Sequence, residues 1–385
     1  MQKKFIPLAL GGLAIGTTEF VIMGILPDVA ATLGISIPTA GHLISSYALG
    51  VVVGAPILVG YSAKFPPKKI LTALMVLFTV FNALSALAPS YETMMAARFF
   101  SGLPHGAFFG VGTVVAVRLA RVGKQAQAVA AMFSGLTVAN LAMVPVAVFI
   151  AHLLHWRVAF GIVALLGLAT LIALRWWLPI LDSQRTVGLR SELQFFKTGR
   201  AWNIIAITSI GFCGLFAWFS YISPLLTKVS GFAEESVSYI MVLAGAGMVV
   251  GNHLGGILAD KIKPLTAVGL LLLLMIVALV AVYLFSENKI ASLVLTFTCG
   301  ALSMSAGTPL NMLMLRAAKN SEMMAAAFMQ AAFNVANSLG AFFGGLPLVY
   351  GLSYNYPSLV GAALALLGVV LVYIYYRNYG KEKNI

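Results

Sequence analysis

Arg98-Phe99-Phe100-Ser101-Gly102-Leu103-Pro104-His105-Gly106-Ala107-Phe108-Phe109-Gly110 lies inside an apolar run from about Met94 to Val117. A run of that length predicts a membrane-spanning helix. Three features oppose simple burial in lipid. Arg98 and His105 are ionisable, Pro104 removes a backbone donor near the middle, and Gly102, Gly106 and Gly110 recur every fourth residue. At 100° per residue, Arg98, Gly102, His105 and Phe109 share one stripe. A polar stripe on a kinked, glycine-lined helix suits the wall of an internal cavity.

The rest of the chain has the same character. Of 385 residues, 61% are hydrophobic and 9% charged. Soluble domains carry about 25% charged residues, and fewer could not cover the surface of a chain this long. An all-α integral membrane protein is therefore expected. The net charge of +13 is read through its positions along the membrane, and no nucleic-acid partner is expected from it. Cys213 and Cys299 both lie in apolar runs and give neither a disulfide framework nor metal spacing.

Twelve apolar segments are expected, at about 5–27, 41–63, 70–88, 93–117, 126–151, 157–178, 202–226, 236–258, 265–285, 290–314, 322–348 and 353–376. The first is read as an uncleaved span, because no small-residue cleavage site follows a short apolar core. With the N-terminus inside, twenty Lys and Arg fall on inner segments. Only Arg98, Arg157, Lys228 and Lys289 fall on the outer half. This bias predicts that both termini are cytoplasmic and that the chain crosses the cytoplasmic membrane repeatedly.

A repeat runs through the sequence at an offset of 196–198 residues. It pairs Pro27 with Pro224, Gly34 with Gly231, Gly50 with Gly247, Gly54 with Gly251, Gly60 with Gly256, and Arg118 with Arg316. It also pairs Val138-Ala139-Asn140 with Val335-Ala336-Asn337, and Trp156 with Tyr354. Residues 1–178 and 202–385 thus read as six-helix halves of like orientation. Segment 179–201 reads as a cytoplasmic linker lying on the membrane surface. Parallel halves with a site between them form a transporter architecture.

Glu19 is the one acid in the middle of a span. It lies eight residues before Pro27, about 12 Å from that end. A lone charge there costs at least ~2.5 kcal/mol, so it is expected to be neutralised, paired or open to a hydrated cavity, where it can exchange a proton. Arg98 either snorkels to the outer surface or faces the bundle. His105, near the midplane, suits a proton relay, a substrate hydrogen bond or a bond within the bundle. Asn82, Asn140, Trp218, Tyr221, Asn334 and Asn337 could line a substrate cavity with Phe109, or simply bond and pack between helices. His152-x-x-His155 has helical metal spacing but no third ligand nearby, and reads as interfacial. No metal site, cofactor, nucleotide-binding motif or nucleophile–base set is expected, which argues against an enzyme and against ATP as energy source.

The chain resembles the major facilitator superfamily, in its twelve-helix drug:proton antiporter branch, and is most similar there to AraJ-type arabinose efflux permeases. The resemblance rests on Gly16-Thr17-Thr18-Glu19-Phe20, Arg98-x-x-x-Gly102 with His105-Gly106-Ala107-Phe108-Phe109-Gly110, Gly135-Leu136-Thr137-Val138-Ala139-Asn140, and Phe219-Ser220-Tyr221-Ile222-Ser223-Pro224. It implies the major facilitator fold, with two pseudo-symmetric halves and a monomer that exports sugar-like or drug-like molecules against protons by alternating access. It implies proton coupling through Arg98 with Glu19, alongside His105. It also implies a charged latch after the second span of each half. Gly256, Asp260 and Lys261 keep that latch in the second copy, whereas Lys64 stands where the first copy usually has an acid. Met143 and Ala147 replace glycines of the fifth-span antiporter pattern. These departures leave open a facilitator of a sugar-like solute, without protons or in the import direction.

Overall fold

The computed structural model describes residues 3–62, 65–122, 124–181, 198–317 and 322–380. Among them, twelve helices are long and apolar enough to cross a membrane. They are α1 (Lys3–Gly24), α2 (Ile37–Gly60), α3 (Pro67–Leu87), α4 (Tyr91–Leu119), α5 (Gln127–Leu153) and α6 (Arg157–Trp177) in the first half. In the second they are α7 (Gly199–Phe219), α8 (Glu234–Ala259), α9 (Pro264–Phe285), α10 (Lys289–Ala317), α11 (Met324–Val349) and α12 (Tyr356–Tyr379).

The two halves are built alike. In the first, α2 packs on α4, α1 on α5, and α3 on α6; in the second, α8 packs on α10, α7 on α11, and α9 on α12. The glycine ladders explain the closest of these pairs. A methyl group at Gly50 would overlap the Phe99 carbonyl, and one at Gly54 the Leu103 carbonyl. Their repeat partners Gly247 and Gly251 meet the carbonyls of Phe297 and Ala301 in the same manner. Helix association in lipid depends on such backbone approach, since lipid tails are as apolar as the side chains. Helix starts repeat as well. Ser90 caps α4 by accepting from Thr93, and Asn288 caps α10 by accepting from Ala291.

Several boundaries differ from those read in the sequence. The first apolar run breaks at Ile25 and continues as a short helix, Leu26–Leu33, ended by Gly34 at φ 67°. Pro27 sits in the first turn of that helix, where a missing donor costs nothing. The seventh run likewise continues past Phe219 as far as Val229. Three wide π turns, Ala139–Met143 in α5, Ile207–Gly211 in α7 and Leu225–Val229 beyond it, were not visible as apolar periodicity. Cations do more than set topology. Lys4 donates to the Leu119 carbonyl at the end of α4 (2.6 Å), Lys68 to Leu178 after α6, and Arg157 to Ala88 after α3 (2.8 Å). Each satisfies a carbonyl that a helix end leaves unpaired. The expected linker falls mostly on 182–197, outside the described residues.

Even numbers of spans put both termini at one end of the bundle, and the opposite end is called here the far end. The halves meet there along two seams. In one, α2 runs beside α11: Ser45 donates to the Ser338 carbonyl (3.0 Å) and His42 stacks on Phe342 (6.3 Å). In the other, α5 runs beside α8: Gly245 lies against the Asn140 backbone, and Phe149 meets Tyr239 at 6.2 Å. The repeat interchanges the two seams.

Candidate coupling site

Arg98 is fully buried (0% exposed) on α4, which excludes snorkelling to the surface. Its Nη1 donates to Thr18 Oγ1 (2.9 Å), and Thr18 donates onward to Asn82 Oδ1 (2.6 Å). Asn82 Nδ2 returns to the Phe78 carbonyl of its own helix (2.8 Å). The guanidinium carbon stands 4.3 Å from the Tyr47 ring centroid and 5.5 Å from that of Phe160. Aromatic faces attract a desolvated cation and make up part of the lost hydration. Nε and Nη2 have no hydrogen-bond partner in the protein. A buried cation with unused donors is costly.

Tyr47 links this cation to the second ionisable group of the stripe. Its hydroxyl pairs with His105 Nδ1 at 3.1 Å. His105 in turn lies 5.4 Å from Phe109, which stacks on Phe133 at 5.0 Å. Two turns of α4 thus carry Arg98 and His105 to a single α2 tyrosine, one beneath its ring and the other at its hydroxyl. Tyr47 was missed from the sequence, where an aromatic in an apolar run looks like packing; its one signal is spacing, three residues before Gly50 of the ladder.

Glu19 neighbours Thr18 on α1 and is 6% exposed. Its carboxyl lies within electrostatic reach of Arg98 in its own half and of the Asn337 side chain in the other. Neither amide atom of Asn337 makes a hydrogen bond of good geometry, so the approach is electrostatic and not yet a bond. Phe20, beside Glu19, meets Phe219 of α7 edge-on at 5.9 Å. The carboxyl therefore stands where the halves touch, not against lipid.

The other expected cavity residues divide. Asn82 is enclosed by Thr18 and its own helix, which leaves it no face for a solute in this conformation. Asn140 and Asn334 each donate back one turn, to Leu136 and Gln330 (both 3.1 Å). Asn334 Oδ1 and both Asn337 amide atoms keep unused capacity in the buried centre. Tyr221 bonds the Ala341 carbonyl (2.7 Å) and fills space beside Gly41 and Gly345, so it seals the far end. Trp218 is buried beside Phe219. In the expected latch, Gly256 has nothing within 4 Å of a built methyl and Lys261 is exposed. The Asp260 side chain and all of Lys64 lie outside the described residues. His152, at the end of α5, pairs through Nε2 with Asp28 Oδ2 at 3.3 Å. Among the described residues no three His, Cys, Asp or Glu side chains gather as a metal site would require.

The family model described as Major Facilitator Superfamily matches residues 8–344. The chain belongs to the Major Facilitator Superfamily. AraJ of Escherichia coli K12 is 40% identical, over 98% of this chain and 96% of that one. The inner membrane transport protein YdhP of the same strain is 38% identical, over 97% and 96%. A Helicobacter pylori relative whose name assigns it sugar efflux is 29% identical, over 96% and 94%. Among solved structures, a D-xylose–proton symporter superposes with a TM-score of 0.77 at 16% identity, covering 97% of each chain. This superfamily member is accordingly a membrane transporter and not an enzyme, with the fold and the small-molecule substrates of its class.

Proposed function

We propose that this superfamily member exports small organic molecules, sugar-like or drug-like, in exchange for protons across the cytoplasmic membrane. The observation that carries the reading is the setting of Glu19, a carboxyl between a buried Arg98 and Asn337 of the opposite half. When ionised, Glu19 balances the charge of Arg98 through the protein interior. When protonated, it leaves Arg98 without a counter-charge and gains a donor that Asn337 can accept. Each protonation state thus favours a different separation of the halves, which is what a ligand-driven population shift requires. His105, reached from Arg98 through Tyr47, is the route for the proton. A substrate would lie among Phe109, Asn140, Trp218, Asn334 and Asn337. The halves 1–178 and 202–385 would rock about the linker, with Gly256, Asp260 and Lys261 latching one end. The excess of Lys and Arg at the terminus-bearing end supports cytoplasmic termini, and the name of YdhP supports the inner membrane. The protein is read as working as a monomer.

One proton moving down ~100 mV and ~1 pH unit releases about 3.7 kcal/mol. That sustains a roughly 500-fold gradient of an uncharged solute exchanged one for one, so a single titrating carboxyl is sufficient. The test is export into proteoliposomes driven by an imposed pH gradient. Wild type is expected to accumulate solute, whereas Glu19→Gln is expected to equilibrate it without accumulation. Gradient-driven accumulation by Glu19→Gln would remove the carboxyl from the mechanism. The second reading, a proton-independent facilitator of a sugar-like solute, is favoured by Met143 and Ala147 in place of the fifth-span glycines. It predicts transport rates unchanged when the pH gradient is collapsed.

A further inference from the structure

The α5–α8 seam ends at the far surface in an ionic cluster that the coupling site does not use. His152, in the last turn of α5, pairs through Nε2 with Asp28 on the short helix Leu26–Leu33. Its Nδ1 is buried without a partner. Glu234 and Glu235, in the first turn of α8, lie within electrostatic reach of the same ring. Among the described residues, these three carboxylates are the charged groups that act on His152 from the elements around it. On its own strand of chain, His155 is turned away to Arg157 (Nε2 to Nη1, 3.4 Å). The first half thus contributes Asp28 and His152, and the second contributes Glu234 and Glu235. One turn deeper, Phe149 and Tyr239 close the same seam.

We propose that His152 is a proton-operated clasp: as imidazolium it holds the acid pair at the head of α8 against Asp28 and shuts the far end, and as neutral imidazole it lets that end part. The geometry sets the sign. A cation among three carboxylates draws the two halves together. Loss of its proton leaves Asp28 facing Glu234 and Glu235 as like charges across the seam, which pushes the halves apart. Histidine changes charge in the range that a cell exterior spans. The clasp does not rest on the Glu19 reading.

The test uses spin labels at Leu87→Cys and Leu284→Cys, exposed far-end positions on α3 and α9 of opposite halves, with native Cys213 and Cys299 buried. It is made in the Glu19→Gln chain in lipid nanodiscs, so that Glu19 cannot supply the response. Between about pH 8 and pH 5 the short-distance population is expected to rise several-fold with His152 present. His152→Gln is expected to abolish the pH response, and Glu234→Gln/Glu235→Gln to reduce it by more than half. His152→Lys, a fixed cation, is expected to hold the short distance at every pH. A pH response that persists undiminished in His152→Gln, or an equally pH-sensitive His152→Lys, would overturn the clasp.

Discussion

Arg98 shows how a membrane protein accommodates a charge that it cannot hydrate. Two aromatic faces and one threonine hydroxyl receive the guanidinium, and the threonine is itself fixed by Asn82. Thr18→Val keeps the shape but leaves Asn82 Oδ1 and the Arg98 donor without partners. A loss of ~1–3 kcal/mol is expected, read as a lower thermal midpoint in detergent, together with loss of gradient-driven transport. Tyr47→Phe separates structure from chemistry. The ring remains under the cation, so the midpoint should move little, while the break between Tyr47 and His105 should displace the pH profile of transport. A profile superimposable on wild type would mean that the hydroxyl serves packing alone. Glu19 and Arg98 could be singled out in the sequence because an ionisable side chain deep in an apolar run is costly wherever it sits. Tyr47 and Thr18 could not, because a tyrosine or threonine in a span carries no such penalty. Their importance depends on which faces the helices turn toward one another. The approach of Asn337 to Glu19 is likewise invisible along the chain, being made between halves that the sequence repeat shows to be alike but not how they are set together.

At the scale of elements, the glycines of α2 and α8 separate from those at the helix ends. Gly50→Val places a branched side chain on the Phe99 carbonyl, with backbone and no flexible neighbour to yield. Expression of folded protein, followed by size-exclusion profile, is expected to fail, and Gly251→Val should fail in the same way. Gly256→Ala meets open space and should fold with a midpoint within about 1 kcal/mol of wild type, even gaining helix propensity. The twelve spans were legible because lipid enforces long apolar runs, and the repeat because small residues recur where backbones touch. The π turns of α5 and α7 were not. A single extra residue in a turn leaves hydrophobic composition unaltered and shows only when carbonyls are traced to their partners. One of them holds Asn140, an expected cavity residue, beside Gly245 of the other half.

The whole molecule is two similar bodies pressed together at the far end. Ser45 and Ser338 meet across one seam through a side chain and a backbone carbonyl (3.0 Å). A Ser45→Cys/Ser338→Cys pair, oxidised or bridged by a short bifunctional reagent, is expected to stop transport by holding that end closed. Reduction of the disulfide should restore it, and either single variant should stay active. Full transport by the cross-linked protein would mean that the seam never opens in the cycle. The carbonyl contacts of Gly50 and Gly54 have a mechanical meaning here. They leave α2 no slack against α4, so these two rods swing as one lever. The α4 arm bears Arg98 and the α2 arm forms the α11 seam. A displacement at the Arg98 end would therefore reach the far end by rigid leverage, with no backlash to absorb it and no relay of side chains needed in between.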